Sequence, residues 1–277
     1  MPRTMAEEEN KEDLVDRARA ALNERAELPG MSLMEHLQEL RRRIIHSALY
    51  LIGGFFIAWG FHDRIYGFME KPVKLALLAH HLPPHLNYLN PIDGFNMYLE
   101  ISLMAGCILA SPFILYQLWL FISPGLYRNE KKYVLPFMCA AVTLFLAGAY
   151  FGYHWVFPGA LNFLFTFNKD FNPMIEINEY TSLFLTVILG LGITFELPIV
   201  IMFLSLFGIV SPKFLWKNLR YAILAIFVIA AIITPTPDVV TMCVFATPML
   251  GLYLASIGVS WFVHPVTRKK RRAKANA

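Results

Sequence analysis

The chain has 277 residues, of which 57% are hydrophobic and 16% are charged, and its formal net charge is +4. An average soluble domain is about 45–50% apolar and about 25% charged. A water-soluble fold of this size cannot bury so much apolar surface, so the composition excludes an ordinary soluble enzyme. It predicts an integral membrane protein.

The chain divides into a polar head, an apolar body and a basic tail. Residues 1–30 contain few large apolar side chains and end at Pro29-Gly30, which predicts a polar, mobile cytoplasmic extension. Residues 31–265 are expected to form the membrane domain. Residues 266–277 form a basic cytoplasmic tail, and because it follows a membrane span closely, we expect it to contact anionic lipid rather than nucleic acid.

Six apolar segments lie in the body, at residues 44–61, 97–122, 133–157, 180–207, 221–234 and 239–263. A helix needs about 20 residues to cross a hydrocarbon core of about 30 Å, and the first four segments reach that length. The fifth lies between Arg220 and Pro235 and covers only about 21 Å at 1.5 Å per residue, so it predicts a short span. Pro248 is expected to interrupt the last segment.

The distribution of basic residues predicts the orientation of these spans. With the N-terminus inside, the inner flanks carry fifteen Lys and Arg residues and the outer loops carry four. This asymmetry favours a cytoplasmic location for both termini. The long, proline-bearing segment 62–96 would then form an ordered cap on the outer side.

No motif in the sequence indicates catalysis. HExxH, GxSxG and phosphate-binding loops are absent, and the Cys and His residues lack the spacing of metal ligands. Gly190-Leu191-Gly192 lies within a span and indicates helix packing. We therefore expect no enzymatic activity, no metal and no cofactor.

Glu196 lies near the middle of the fourth segment, in TFELPI. An ionised acid at that depth costs about 2.5–3.5 kcal/mol on insertion scales. Pro198 has no N–H to donate to the carbonyl of Thr194, so the two residues predict a polar notch inside the bilayer. The notch is interpreted as a docking point for a transmembrane segment or a translocating chain. The alternative is a buried acid that hydrogen-bonds to a neighbouring helix.

Two further acids, Glu39 and Glu130, lie at the predicted cytoplasmic face. Taken singly, Glu39 suits an i,i+4 pair with Arg43, and Glu130 suits a solvated charge beside Lys131. Together they suit the binding of two guanidinium groups, because each carboxylate accepts two parallel hydrogen bonds from an arginine.

Five stretches are typical of one membrane-protein family: HLQELRRR (36–43), the proline of EKPV (70–73), SPFILYQLWLFISPGLYRNEKK (111–132), FELP (195–198) and the TP…PD turn (234–238). Over residues 32–263 the sequence resembles the TatC family, the multispanning subunit of the twin-arginine protein translocase. We therefore expect an all-α integral membrane protein of six transmembrane helices. Both termini would be cytoplasmic, and the bundle would be concave, with a short fifth span.

The resemblance implies a role for individual residues at the cytoplasmic face. Two acids match those that receive the paired arginines of a signal peptide, an aromatic residue and its neighbours match the same patch, and one arginine matches a basic residue of the family. The residues of this implied signal-peptide site are Glu39, Arg41, Phe121, Leu126, Tyr127 and Glu130.

The resemblance also implies an intramembrane polar site that meets single-span partner subunits, formed by Glu196, Pro198 and Thr234. Structural or interface positions are implied for Pro72, Pro112 and Asp238. The family reads TPPD after its fifth span, whereas this chain reads TPTPD at 234–238, so its turn contains one additional residue.

The implied function is that of a receptor for twin-arginine signal peptides at the core of a translocase that exports folded proteins across the cytoplasmic membrane. The implied partners are TatA/TatB-type single-span subunits and other copies of the chain, with the proton-motive force as energy source. The alternative is a proton-coupled secondary transporter, in which a protonatable acid beside a helix break is also common. An intramembrane enzyme is a third interpretation, which lacks a set of reactive residues.

Overall fold

The computed structural model describes residues 33–122, 134–167, 174–206, 208–234 and 239–263. Within these ranges the chain is helical. Its helices are α1 (Leu33–Trp59), α2 (His62–Ala79), α3 (Asp93–Ile122), α4 (Val134–Phe151), a π-helical turn (Gly152–Val156), α5 (Phe157–Phe167), α6 (Ile177–Thr194), α7 (Leu197–Leu206), α8 (Pro212–Lys217), α9 (Leu219–Ile233) and α10 (Val239–Val263).

Four stretches of helix are long and apolar enough to cross a membrane: Asp93–Phe121, Leu135–Phe167, Ile177–Leu206 and Val239–Val263. A fifth candidate is the pair α1 and α2, which is bent by 82° between Trp59 and His62. Helix α9 has 15 residues and is therefore about 22 Å long, close to the short segment expected there. The all-α membrane class is confirmed, whereas six spans, their orientation and a concave shape stay predictions.

The predicted interruption at Pro248 is wrong, because α10 continues through that residue from Val239 to Val263. Membrane helices tolerate proline where hydroxyl groups and neighbouring helices supply other hydrogen bonds. Pro248 cannot donate to Val244 O. The adjacent Thr247 Oγ1 donates to a different carbonyl, Cys243 O, at 2.7 Å, so this bond does not replace the one that the proline removes.

The chain separates into two compact units, residues 1–44 and 45–277. In the second unit α6 is the most enclosed helix, with ten buried residues, and it packs against α3 and α4. Helix α10 packs against α7 and α9. The largest fully buried side chains of this unit are Phe157, Phe184 and Phe245.

Two helix crossings depend on glycine. A Cβ on Gly54 of α1 would lie 2.6 Å from Gly106 O of α3, and a Cβ on Gly148 of α4 would lie 2.6 Å from Leu191 O of α6. Such distances allow only hydrogen at these positions, so the backbones approach closely, as is common between membrane helices. Gly192 also packs, with its Cβ position 3.0 Å from the ring of Phe145, which confirms the packing interpretation of that glycine.

Hydrogen bonds order the part of segment 62–96 that connects α2 to α3. Asn87 donates through its N–H to Ile175 O and accepts from Ile177 N, both at 2.8 Å. Buried Asp93 accepts from the N–H groups of Leu89 and Asn90 at 3.0 and 2.7 Å, which closes the turn before α3. The segment is therefore ordered, as expected for a cap, and its location on the outer side stays a prediction.

Pro72 removes one bond from the hydrogen-bond ladder of α2, and a tyrosine replaces it. Pro72 cannot donate to the carbonyl of Phe68, and Tyr153 Oη donates to that oxygen at 2.9 Å. One turn away, Tyr180 Oη donates to Met69 O at 2.5 Å. The break in α2 is therefore tied to the π-helical turn and to α6.

Candidate functional site

Glu39 lies in α1 as a half-buried carboxylate, and only one of its two oxygens accepts a hydrogen bond within the described residues. Its Oε1 accepts from Arg43 Nη2 at 3.0 Å, the i,i+4 pair that the spacing predicts, and its side chain is 16% exposed. Its Oε2 is buried and accepts no hydrogen bond within the described residues. A carboxylate oxygen has room for two such bonds, so Glu39 retains the capacity to bind another donor.

The other residues of the implied signal-peptide site are only partly described. Arg41 is an exposed residue of α1, and Phe121 is a half-buried residue in the last turn of α3. Leu126, Tyr127 and Glu130 lie outside the described residues, as does the structural position Asp238. The predicted pairing of Glu39 with Glu130 therefore stays a prediction.

Glu196 lies at a break between two membrane helices, where the sequence predicts one. Helix α6 ends at Thr194 and α7 begins at Leu197. The Glu196 N–H donates to Ile193 O at 3.1 Å, and its carbonyl accepts from the N–H groups of Ile199 and Val200, each at 3.0 Å. The backbone of the break is thus well paired around the acid.

The side chain of Glu196 has an unsatisfied oxygen. Its Oε1 is buried and has no hydrogen-bond partner in the described part of the chain. The alternative of an acid bonded to a neighbouring helix is therefore not realised at this atom. A buried, unpaired polar atom costs about 1–3 kcal/mol, so a donor that reached Oε1 would bind favourably.

Packing on one side of the break holds it in place. Phe195 contacts the ring of Phe151 at a centroid distance of 5.7 Å, and its Cβ lies 2.8 Å from where a Cβ on Gly148 would be. Gly148 was not among the sequence predictions, although a small residue within an apolar helix is a signal for close packing. Gly148 lets α4 approach the break between α6 and α7 closely.

Pro198 and Thr234, the other residues of the implied intramembrane site, are both buried. Pro198 lies in the first turn of α7, where a missing N–H is tolerated. Thr234 follows α9, and its hydroxyl donates to Ala230 O at 2.8 Å within its own chain segment. Among the described residues no hydrogen bond joins Thr234 to Glu196, and their membership of one site stays a prediction.

At Pro112, as at Pro72, a hydroxyl group donates to the carbonyl oxygen that the proline leaves without its helical donor. Pro112 lies inside α3 and cannot donate to Ile108 O. The hydroxyl of Ser111 donates to that oxygen at 2.8 Å. The roles of Tyr153 and Ser111 were not predicted from the sequence, because the acceptor of a hydroxyl group is known only in the folded chain.

A model of the TatC family, described as Sec-independent protein translocase protein, matches residues 35–248. The chain belongs to the TatC family. It is 58% identical to the TatC protein of Koribacter versatilis (strain Ellin345) over 94% of this chain and 95% of that protein. It is 39% identical to the TatC protein of Helicobacter pylori (strain J99 / ATCC 700824) over 88% and 94%, respectively.

The fold agrees with a solved structure of the family. A crystal structure of the twin arginine translocase receptor TatC covers 83% of this chain and 99% of its own, with a TM-score of 0.74 and 37% sequence identity. The chain is therefore a multi-pass membrane subunit of the Tat protein translocase family. The family is one of transport components rather than enzymes.

Proposed function

We propose that this chain is the receptor for twin-arginine signal peptides and the core subunit of a translocase that exports folded proteins across the cytoplasmic membrane. The observation that carries the proposal is the similarity, across nearly the whole membrane domain, to a crystal structure described as the twin arginine translocase receptor. The half-buried carboxylate of Glu39 supports the proposal, because carboxylates bind guanidinium groups and one of its oxygens has no hydrogen-bond partner in the described residues.

The signal peptide would bind through its two arginines to Glu39 and Glu130. A guanidinium presents five donors in a planar fork, whereas a lysine ammonium is a flexible point charge, so a pair of carboxylates prefers Arg-Arg to Lys-Lys. Glu39 Oε2 is buried and accepts no hydrogen bond within the described residues, so an arginine that gained access to it would add to the Arg43 contact at Oε1 rather than replace it. Phe121, Leu126 and Tyr127 would pack against the peptide, and Arg41 would lie beside the acids.

The proposed topology has six spans with both termini in the cytoplasm, which places Glu39 and Glu130 on the cytoplasmic face. The excess of basic residues on the inner flanks supports it. Helix α9 would be the fifth span, and at about 22 Å it would require a locally thinner bilayer or shielded ends. Residues 1–30 and 266–277 would then be cytoplasmic.

Glu196 would bind the single-span partner subunits within the bilayer. Its unsatisfied Oε1 at the break between α6 and α7 offers a polar partner helix a hydrogen bond that lipid cannot provide. Pro198 keeps the break open, and Thr234 lines the same intramembrane site. Recruitment of TatA/TatB-type subunits, association with other copies of the chain and use of the proton-motive force complete the proposed mechanism.

Site-specific photocrosslinking tests the receptor proposal. A photoreactive residue at position 39, 121 or 130 is expected to capture a twin-arginine precursor and to lose most of that signal with a precursor in which both arginines are lysines. Glu39→Gln and Glu130→Gln are expected to weaken capture, and Glu35→Gln, one turn earlier in α1, is the matched control. Equal capture of both precursors, or wild-type capture by Glu130→Gln, would overturn the proposal.

A proton-coupled secondary transporter is the second candidate, because the Glu196 side chain lies at a helix break inside the membrane domain. Proteoliposomes that contain only this chain distinguish the two functions. The transporter predicts uptake of a small solute that depends on a proton gradient and is lost in Glu196→Gln. The receptor predicts no uptake by the chain alone.

A further inference from the structure

A cavity of about 320 Å³ lies between α2 on one side and the π-helical turn and α5 on the other. Its walls combine polar and apolar groups. Lys71, His154 and Asn162 supply the polar side chains, and Leu75, Ala79 and Pro158 are among the apolar ones. This volume falls within the range of small-ligand sites and suits a headgroup-sized molecule.

The charge at this cavity is uncompensated. Lys74, one turn further along α2, donates to Glu70 Oε1 at 2.7 Å and is neutralised by that pair. Lys71 forms no ion pair with any residue in the described ranges. The cavity therefore presents one net positive charge together with the amide of Asn162, which is a combination that favours an anion with hydrogen-bond acceptors.

The walls of the cavity are held rigidly. Tyr153 donates to Phe68 O at 2.9 Å, and the rings of Tyr153 and Phe68 stack at a centroid distance of 4.0 Å. Pro72, which also lines the cavity, produces the break in α2 that this contact bridges. A π-helical turn at the same place is a feature that recurs at functional sites.

The topology proposed above would place this cavity at the depth of lipid headgroups. Tyr153 is eighteen residues after Leu135, where this membrane helix begins, and so lies about 27 Å along it, close to the thickness of about 30 Å of a hydrocarbon core. Tyr150 and Trp155, which flank this point, are 56% and 57% exposed, and exposed Tyr and Trp mark the membrane interface.

We propose that this cavity binds the phosphate-bearing headgroup of an anionic phospholipid. Lys71 contacts the phosphate, Asn162 donates a hydrogen bond to it, and the acyl chains lie outside along apolar residues such as Leu75, which is 59% exposed. The site is separate from Glu39 and Glu196, so its test is independent of the proposed receptor function.

Native mass spectrometry of the delipidated, full-length protein tests this site. Phosphatidylglycerol is titrated into the wild-type protein, Lys71→Gln and the matched control Glu70→Gln/Lys74→Gln, which removes both members of the neutral pair and keeps the net charge. Loss of a charge-assisted hydrogen bond is expected to weaken the tightest lipid-binding step about tenfold in Lys71→Gln and to leave it unchanged in the control. Lys71→Arg, which keeps the charge, is expected to retain binding and shows that the fold is intact.

Two further titrations identify the ligand. Phosphatidylcholine, which has the phosphate but no net charge, is expected to bind more weakly than phosphatidylglycerol, and inorganic phosphate alone is expected not to compete at equal concentration. Equal lipid binding by Lys71→Gln and Glu70→Gln/Lys74→Gln would overturn the proposal. Competition by inorganic phosphate at equal concentration would also overturn it, since the ligand would then be a free anion.

Discussion

The hydroxyl of Tyr180 joins α6 to α2, and its removal should measurably destabilise the fold. It donates to Met69 O at 2.5 Å, and the residue is only 3% exposed. Tyr180→Phe leaves that carbonyl oxygen without this donor in a buried place. Unsatisfied buried groups cost about 1–3 kcal/mol, while polar contacts in membrane proteins average about 0.6 kcal/mol. We expect a loss of about 1–2 kcal/mol in the free energy of unfolding.

Pro72 determines the cost of losing a second hydroxyl, that of Tyr153. Pro72→Ala restores a backbone N–H that can donate to Phe68 O, the carbonyl to which Tyr153 Oη donates. Tyr153→Phe should therefore cost less in the Pro72→Ala background than in the wild-type chain. The difference is the coupling energy of a double-mutant cycle, for which we expect about 1 kcal/mol.

Thermal unfolding of the purified protein in detergent, followed by tryptophan fluorescence, measures Tyr180→Phe and all four members of the cycle. Tyr150→Phe is the matched control, because Tyr150 is 56% exposed and its hydroxyl is not buried. The reasoning fails if Tyr180→Phe costs no more than Tyr150→Phe. It also fails if Tyr153→Phe costs the same in both Pro72 backgrounds.

Three other predictions have defined outcomes. Glu196→Ala is expected to reduce co-purification of single-span partner subunits while leaving photocrosslinking of the signal peptide intact; unchanged co-purification with normal export would contradict this. Gly148→Ala places a Cβ 2.6 Å from Leu191 O and should lower the free energy of unfolding by about 1–3 kcal/mol, whereas Gly53→Ala, with no atom within 4 Å, should not. Ser205→Ala and Ser260→Ala each remove one side of a 2.6 Å hydrogen bond between α7 and α10, so their double variant should cost less than the sum of the two in thermal unfolding.

The features that follow from local chemistry could be predicted from the sequence. The break beside Glu196 follows from the missing N–H of Pro198, and the short α9 follows from the charged and proline residues that bound its apolar run. The Glu39–Arg43 pair follows from their spacing on one helix face. Each of these depends on residues within a few positions of one another.

The features that depend on distant residues could not be predicted in this way. The π-helical turn at Gly152 packs against α6, and no local pattern in the sequence indicates it. Tyr180 lies 111 residues from Met69, whose carbonyl it binds, and no local pattern indicates that contact. The continuity of α10 through Pro248 also depends on its surroundings rather than on the proline alone.

The proposed docking site differs from the proline positions Pro72 and Pro112 in that one of its buried polar atoms lacks a hydrogen-bond partner in the described residues. At Pro72 and Pro112 the chain supplies hydroxyl donors, from Tyr153 and Ser111, to the carbonyls that the prolines free. At the break between α6 and α7 the backbone is paired, yet Glu196 Oε1 is buried without a partner in the described residues. At the two prolines the chain itself supplies the missing hydrogen-bond donors. An unpaired buried oxygen on Glu196 costs about 1–3 kcal/mol of stability, and this cost is best explained by a donor that arrives from another helix.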